Sequence, residues 1–348
     1  MRKIFILFIC LFLVSFSFAN DVILGIALSF EGIDSEFSWD QLNAIKLANN
    51  GFPSYKGYVI KLSVSDITKN VRKSTLNLID KKAVAIIGYP SSSEALKIVD
   101  LAERIKIPIL LTTATNSILI SGRQYVTMTM SPDSEEAKVL SDFIIKKFKH
   151  PKIAFIYDEE HIYCKSIVSK IYSYLRNNSV SFLQKNYIFS SKTSYDTNKI
   201  VESLRNYNPD LLFFSSHPEF SYTLLNSLLK NKVGGVFLFS SAFDDNDFYK
   251  AFYDAKNFYV CGLNINKNQS FYKKVSSDFE KKYSKHLDLY SLMAYNSYLI
   301  FYNALKQCVD SGKEVNRKNL NFFIRNTKNI ELLGGSFKFT IKTGGTCP

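Results

Sequence analysis

Among the 348 residues there are only four histidines, five cysteines and one tryptophan. That scarcity removes several chemistries together. The cysteines form no CxxC pair and no histidine stands at ligand spacing from them, so a structural zinc site is not expected. No GxxxxGK(S/T), GxGxxG, HExxH or GxSxG occurs, so phosphate cradles, dinucleotide loops, zincins and a nucleophile elbow all lack their residues. His150, His161, His217 and His286 lie in no motif that would build a Ser-His-Asp arrangement. Arginine-rich blocks and aromatic-interleaved basic motifs are missing too. The net charge of +13 comes from lysines scattered as solvated helix faces, such as Lys146, Lys147 and Lys149 or Lys273 and Lys274. Nucleic acid is therefore not the expected partner. No internal repeat, low-complexity tract or long Gly/Pro linker appears, and neither a metal nor a cofactor is called for.

What is present begins at the first residue. Arg2 and Lys3 precede an apolar run from Ile4 to Phe16, and Ser17-Phe18-Ala19 supplies small residues at the positions signal peptidase reads. The pattern predicts a cleaved secretory signal over 1–19. The run is too short for a membrane-spanning helix, which needs about 20 apolar residues. Cys10 sits inside it, so lipid attachment there is not expected. Lys, Asp or Asn interrupts every later apolar stretch, so the mature protein is expected to be soluble and extracytoplasmic. Cys164, Cys261, Cys308 and Cys347 remain after cleavage. An oxidising compartment permits disulfides among them, and buried free thiols fit equally well.

Length and periodicity point to two domains. Val22–Leu28, Tyr58–Val64, Ala83–Gly88 and Ile107–Leu111 read as strands, and helices are expected at Trp39–Asn49, Val71–Asp80 and Ser91–Ile105. Continuous apolar strands alternating with helices describe a parallel sheet covered on both faces. The alternation restarts with a helix at Ser134–Phe148, opened by Asp133-Ser134-Glu135-Glu136 in capping-box form. Strands at Lys152–Tyr157, Val180–Tyr187, Asp210–Ser215 and Gly235–Ser240 follow, with helices between them. Helices at Gln269–His286, Leu289–Cys308 and Arg317–Arg325 then come without strands, and Ser336–Ile341 alternates like an edge strand. The expected fold is thus α/β, two similar doubly wound lobes joined by a multi-crossover hinge. The first lobe takes 20–132 plus 262–333 and the second 133–261 plus 334–348, with crossings near Pro132, Cys261 and Gly334.

Two loops carry the binding expectation. The strand ending at Gly88 leads through Tyr89-Pro90 into Ser91-Ser92-Ser93-Glu94 at a helix start, where unpaired N–H groups and hydroxyls suit an anion. The next strand ends in Thr112-Thr113-Ala114-Thr115-Asn116. In a parallel sheet both loops emerge at the carboxyl edge, where doubly wound folds hold ligands. Asp158-Glu159-Glu160-His161 bunches three carboxylates and a histidine, and reads as a solvated βα loop rather than a cation site.

With these residues in view, the chain resembles the type I periplasmic binding proteins, most closely the leucine/isoleucine/valine-binding branch that serves ABC importers of amino acids and amides. Gly88–Ser93 and Ile107–Asn116 carry the resemblance, with Asp66 after the second strand, Ser131-Pro132-Asp133 at the first crossing and Leu289–Asn296 as the late helix. It spans nearly the whole mature chain. The resemblance implies that Ser92 and the hydroxyl and amide of Thr115 bind a ligand carboxylate, with Ser91, Ser93 and Ala114 beside them. It implies that the Thr113 carbonyl accepts from an α-ammonium, and that Tyr163 and His217 close from the second lobe. The region around Trp39 is expected to wall the side-chain pocket. The family often places a carboxylate where this chain has Ala242, so Asp244 or Asp245 is expected to serve the ammonium from a shifted loop.

The implied function is capture of an amino acid or related amide or carboxylate by hinge closure, for delivery to an ABC permease and without catalysis. A ligand-sensing partner of a membrane receptor or kinase is the alternative, since it needs the same closing cleft. An exported hydrolase is a remote third reading.

Overall fold

The computed structural model describes residues 20–32, 35–190, 195–252, 254–327 and 330–343. The expected signal peptide, Cys10 and Cys347 lie outside the described residues. The first unit runs β1 (Asn20–Leu28), α1 (Ser35–Gly51), β2 (Ser54–Tyr55), β3 (Tyr58–Asp66), α2 (Val71–Asp80), β4 (Ala85–Gly88), α3 (Ser92–Leu96), α4 (Val99–Ile105), β5 (Ile109–Leu111) and β6 (Val126–Met128). Its sheet has the order β2-β3-β1-β4-β5-β6, parallel apart from the short β2. The second runs α5 (Asp133–Lys147), β7 (Lys152–Asp158), α6 (Ile162–Asn177), β8 (Leu183–Phe189), α7 (Thr197–Tyr207), β9 (Leu211–Ser215), α8 (Pro218–Lys230), β10 (Val236–Phe239), α9 (Asn246–Ala251) and β11 (Phe258–Leu263). Helices α10 (Ser270–Tyr283), α11 (Leu289–Asp310) and α12 (Arg317–Arg325) follow, and β12 (Phe339–Thr343) ends the described chain. The second sheet has the order β12-β11-β10-β9-β7-β8, with only β12 antiparallel. This is the two-lobed α/β architecture expected.

The apolar strand runs arise from double coverage. Every residue of β4, β9 and β10 is buried, because helices shield both faces of each sheet. One hydrophobic cluster fills the inner face of the first sheet (Leu24, Ile26, Ile87) and that of the second (Phe155, Phe213, Leu238), with Met130 and Leu140 in the same cluster. Separate clusters pack the outer faces. Helix α11 is buried around most of its circumference, as expected of a helix inside a core. It packs along α1 and touches β4 and α12. The Tyr298 hydroxyl donates to Asn49 Oδ1 at 2.8 Å and the Phe52 carbonyl at 2.7 Å, fixing the end of α1.

The crossings between lobes are tied down by hydrogen bonds. Asp133 is fully buried, and its carboxylate accepts from Ser117 N on one side and from Ser166 Oγ (2.7 Å) and Lys170 Nζ (3.2 Å) on the other. The Asn296 side chain pairs both ways with the backbone of Leu333, seating the segment that leads back to β12. Strand β11 runs to Leu263, which pairs with Phe339, and the chain leaves the second sheet after Leu263.

Several local expectations fail for identifiable reasons. The single helix expected at Ser91–Ile105 is broken, since Ile98 leaves the helical backbone region (φ −125°, ψ −16°) and separates α3 from α4. The capping box read at Asp133 does not form. Pro132 is the N-cap without a side-chain bond, and Glu136 turns inward instead of back to the helix start. Glu94 receives Ser29 Oγ. Strands β2, β6 and β11 escape periodicity because they are short or adjoin a crossing. Among the described residues, Cys164, Cys261 and Cys308 are buried free thiols.

Candidate functional site

Each sheet reverses its winding direction once. In the first, the chain steps from β1 to β3 on one side and to β4 on the other; in the second, β7 is flanked by β8 and β9. Ligands of doubly wound sheets bind outside the carboxyl edge at such a reversal. Here the loops after β4 and β5 face those after β7, β9 and β10 across a cleft with about 100 Å³ of free space.

The β4 loop is shaped by Gly88. Its φ of +148° and a would-be Cβ only 2.0 Å from the Ala27 carbonyl leave room for no side chain. Tyr89 follows with φ +50°, fully buried, its hydroxyl 2.7 Å from Thr75 Oγ1. That anchor aims Pro90, Ser91 and Ser92 into the cleft. The neighbouring loop is stitched to it: Thr113 Oγ1 donates to the Pro90 carbonyl (3.1 Å), and Asn116 N donates to Ser92 Oγ (3.2 Å). Helix α3 is five residues long, so the expected dipole contribution is small and the hydroxyls and backbone groups themselves supply the polarity.

Of the residues expected from sequence, Ser91, Ser92, Thr113, Thr115, Tyr163 and His217 all line the cleft. Ser93 and Ala114 do not. Ser93 Oγ instead accepts from Ile162 N at 3.3 Å, a latch between the lobes, and Ala114 is buried in the first lobe's outer core. Asp244 and Asp245 stand apart from the cleft. Asp244 accepts from Lys342 Nζ (2.7 and 2.8 Å), Tyr249 (2.9 Å) and Leu263 N (3.0 Å), and Asp245 caps α9. Trp39 is also outside. It is half exposed and packs on Phe30, with ring centres 4.5 Å apart.

The cleft holds residues that sequence reasoning missed. Phe37, two positions before Trp39, stacks on Tyr290 with ring centres 4.2 Å apart. Across the cleft His217 lies 6.4 Å from Phe37 and 4.8 Å from His161. These rings give apolar walls on both sides, with Met130 and Leu289 between. Ser216, Ser241 and Ala242 complete the second lobe's edge. His161 Nε2 lies 3.6 Å from buried Asp158, which also accepts from Glu160 N at 2.9 Å. Among the described residues that line the cleft there is no lysine, arginine, aspartate or glutamate. Among the described residues no group of three or more His, Cys, Asp or Glu side chains is placed to hold a metal.

One carboxylate lies immediately behind the wall. Glu136 on α5 is fully buried, and its oxygens accept from Tyr163 OH (2.9 Å to each), Ser241 N (2.6 Å) and Ser241 Oγ (2.9 Å). Burial pushes its pKa up to about 7 against these stabilising hydrogen bonds. Burial and the neighbouring Glu136 charge push the Tyr163 phenol up as well.

Comparison with known proteins gives this geometry a context. Solved structures that match include a leucine-binding protein, LivK, from Thermotoga maritima (TM-score 0.77, 20% identity, 90% of each chain covered). The branched-chain amino acid binding protein LivJ from Streptococcus pneumoniae, in complex with isoleucine, matches with TM-score 0.77, 17% identity and 91% of each chain. A solute-binding protein of an ABC transporter from R. palustris, in complex with benzoate, matches with TM-score 0.80, 14% identity and 93% of each chain. At such identities the likeness speaks for the fold. A search of curated proteins found no match. The family model described as "Periplasmic binding protein" matches residues 25–346, nearly the entire sequence, and the chain belongs to that family.

Proposed function

We propose that the protein is the extracytoplasmic solute-binding component of an ABC-type importer, capturing an amino acid or a related small amide or carboxylate by hinge closure without chemistry. The observation that carries this reading is the cleft itself. It is walled by hydroxyls on the first lobe and rings on both. Such a space suits a small polar solute with an apolar portion, bound through directed hydrogen bonds.

In this reading Ser92 and Thr115 receive the solute's carboxylate, and the Thr113 carbonyl accepts from a nitrogen donor. Phe37 and Tyr290 cover the apolar part. Tyr163 and His217 arrive with the second lobe, and the Ser93–Ile162 latch holds the closed state. Excluding water strengthens each charge-assisted bond. Asp244 and Asp245 take no part, because their oxygens are committed to the hinge and to α9. The structural neighbours are named for leucine, isoleucine and benzoate, so they support a small carboxylate without choosing its side chain. The basic start and apolar run at 1–19 support export, and among the described residues no helix is long and apolar enough to cross a membrane.

A thermal-shift panel of amino acids, amides and small aromatic or aliphatic carboxylates tests the proposal. A solute at a hundredfold excess over Kd stabilises the folded protein by about 2.7 kcal/mol. Cooperatively folded protein that shows no shift with any member of the panel refutes it.

A further inference from the structure

Two of the hydroxyls that the second lobe brings to the cleft, Tyr163 and Ser241, lie 3.2 Å from each other and both donate to Glu136 behind them. A hydroxyl has one proton to donate and two lone pairs with which to accept. Once Glu136 is ionised, both protons are directed backwards to its carboxylate, and the oxygens present lone pairs to the cleft. The Ser241 amide, which could otherwise donate, is also spent on Glu136 at 2.6 Å. A solute carboxylate placed here would meet acceptors, so this wall asks for a donor.

We infer that Glu136 is a positioning residue that turns Tyr163 and Ser241 into acceptors, and that it supplies the counter-charge, one layer behind the wall, for a solute ammonium. The inference rests on the solute-binding reading above and sharpens it to a zwitterion. The negative charge of Glu136 is kept behind hydroxyls instead of lining the space. The titratable groups facing Glu136 are few. Asp133 lies on its own helix, Tyr163 and Cys164 on α6, and Cys261 on β11. The lysines nearest these groups, Lys170 and Lys342, are paired to Asp133 and Asp244, so an arriving ammonium would be a new positive partner for Glu136. A carboxyl group poised near neutrality in the closed, empty cleft would then ionise as the ammonium enters, releasing part of a proton.

The test compares L-leucine and L-phenylalanine with their des-amino counterparts, 4-methylpentanoate and 3-phenylpropanoate, by calorimetric titration of the full mature chain. The wild type is expected to favour each amino acid over its counterpart by about 10- to 100-fold, as a charge-assisted hydrogen bond would give. Glu136→Gln keeps the shape but offers an amide that donates to Tyr163, so the preference should vanish while des-amino binding changes by less than about threefold. Proton release on amino-acid binding near pH 7, read from buffers of different ionisation enthalpy, should vanish with it. Tyr163→Phe leaves the Glu136–Ser241 bonds in place and should lose the same preference, which covers the case of a Gln variant that does not fold. Equal or tighter wild-type binding of the des-amino acids overturns the inference and leaves the solute-binding reading standing, as does a preference that survives in both folded variants. Binding of none of the four by the wild type counts against both readings together.

Discussion

Glu136 makes a quantitative statement about the free protein that needs no ligand. Its pKa is pushed up to about 7 from an ordinary value of 4.5 by complete burial. The folded state therefore holds a proton that the unfolded chain releases once pH passes 4.5. Stability contributed by that proton is fully present below about pH 4.5 and is lost as pH rises through 7. The difference of about 2.5 units, at 1.36 kcal/mol each, amounts to roughly 3 kcal/mol across the window. Glu136→Gln removes the titration and keeps a side chain of the same shape. For a chain of this length the unfolding entropy is roughly 0.7 kcal/mol per degree, so the wild type should lose about 4 °C of melting temperature relative to the variant between pH 4.5 and 7.5. Melting curves of both proteins, collected by calorimetry at half-unit steps of pH, give the comparison directly. Other groups titrate over the same range, Asp288 among them with its pKa pushed up to about 6 by burial. They are common to both proteins and cancel in the difference. Parallel curves for variant and wild type would refute the reasoning, because they would mean that Glu136 ionises at the same pH folded and unfolded.

Three further outcomes are expected. Gly88→Ala forces a methyl group to within 2.0 Å of the Ala27 carbonyl at a positive φ, and should cost more than about 4 kcal/mol in denaturant unfolding or abolish folding. Asp133→Asn exchanges the acceptor shared by Ser117, Ser166 and Lys170 for one that no longer balances Lys170, with an expected loss of about 1–3 kcal/mol in denaturant unfolding. Phe37→Ala should weaken solute binding by about 1–3 kcal/mol in the same titration that leaves Trp39→Ala within about 0.5 kcal/mol of wild type; the reverse ranking would restore Trp39 as the cleft wall.

The fold was legible because burial on both faces writes itself into the strands as unbroken apolar runs, as at Ala85–Gly88 and Leu211–Ser215. The hydroxyl loops were legible for a related reason: serines and threonines following such runs have no core to enter. Other parts of the cleft are assembled from residues whose neighbours are remote in sequence. Glu136 sits three positions after Asp133 and so mimics a cap, while its partner Ser241 is 105 residues away. Phe37 and Tyr290 stack across a still longer separation, and nothing local distinguishes either from an ordinary surface aromatic. The resemblance points to the region of Trp39 for the pocket wall, and the one-turn-earlier start of α1 at Ser35 puts Phe37 into the cleft and leaves Trp39 at the surface. Asp244 and Asp245 carry the charge that an ammonium needs, but the fold spends it on Lys342 and a helix cap.

The late return of the chain to both sheets has a consequence for how the molecule is made. Helices α10–α12, which follow the second lobe's parallel strands, cover the first sheet, and β12 then edges the second. A nascent chain ending before Leu289 would leave the flank of α1 bare, and one ending before Phe339 would leave the β11 edge unpaired. Neither lobe can close as a self-contained unit behind the advancing ribosome, so the cooperative step waits for almost the whole polypeptide. That delay keeps the chain threadable until late in its synthesis.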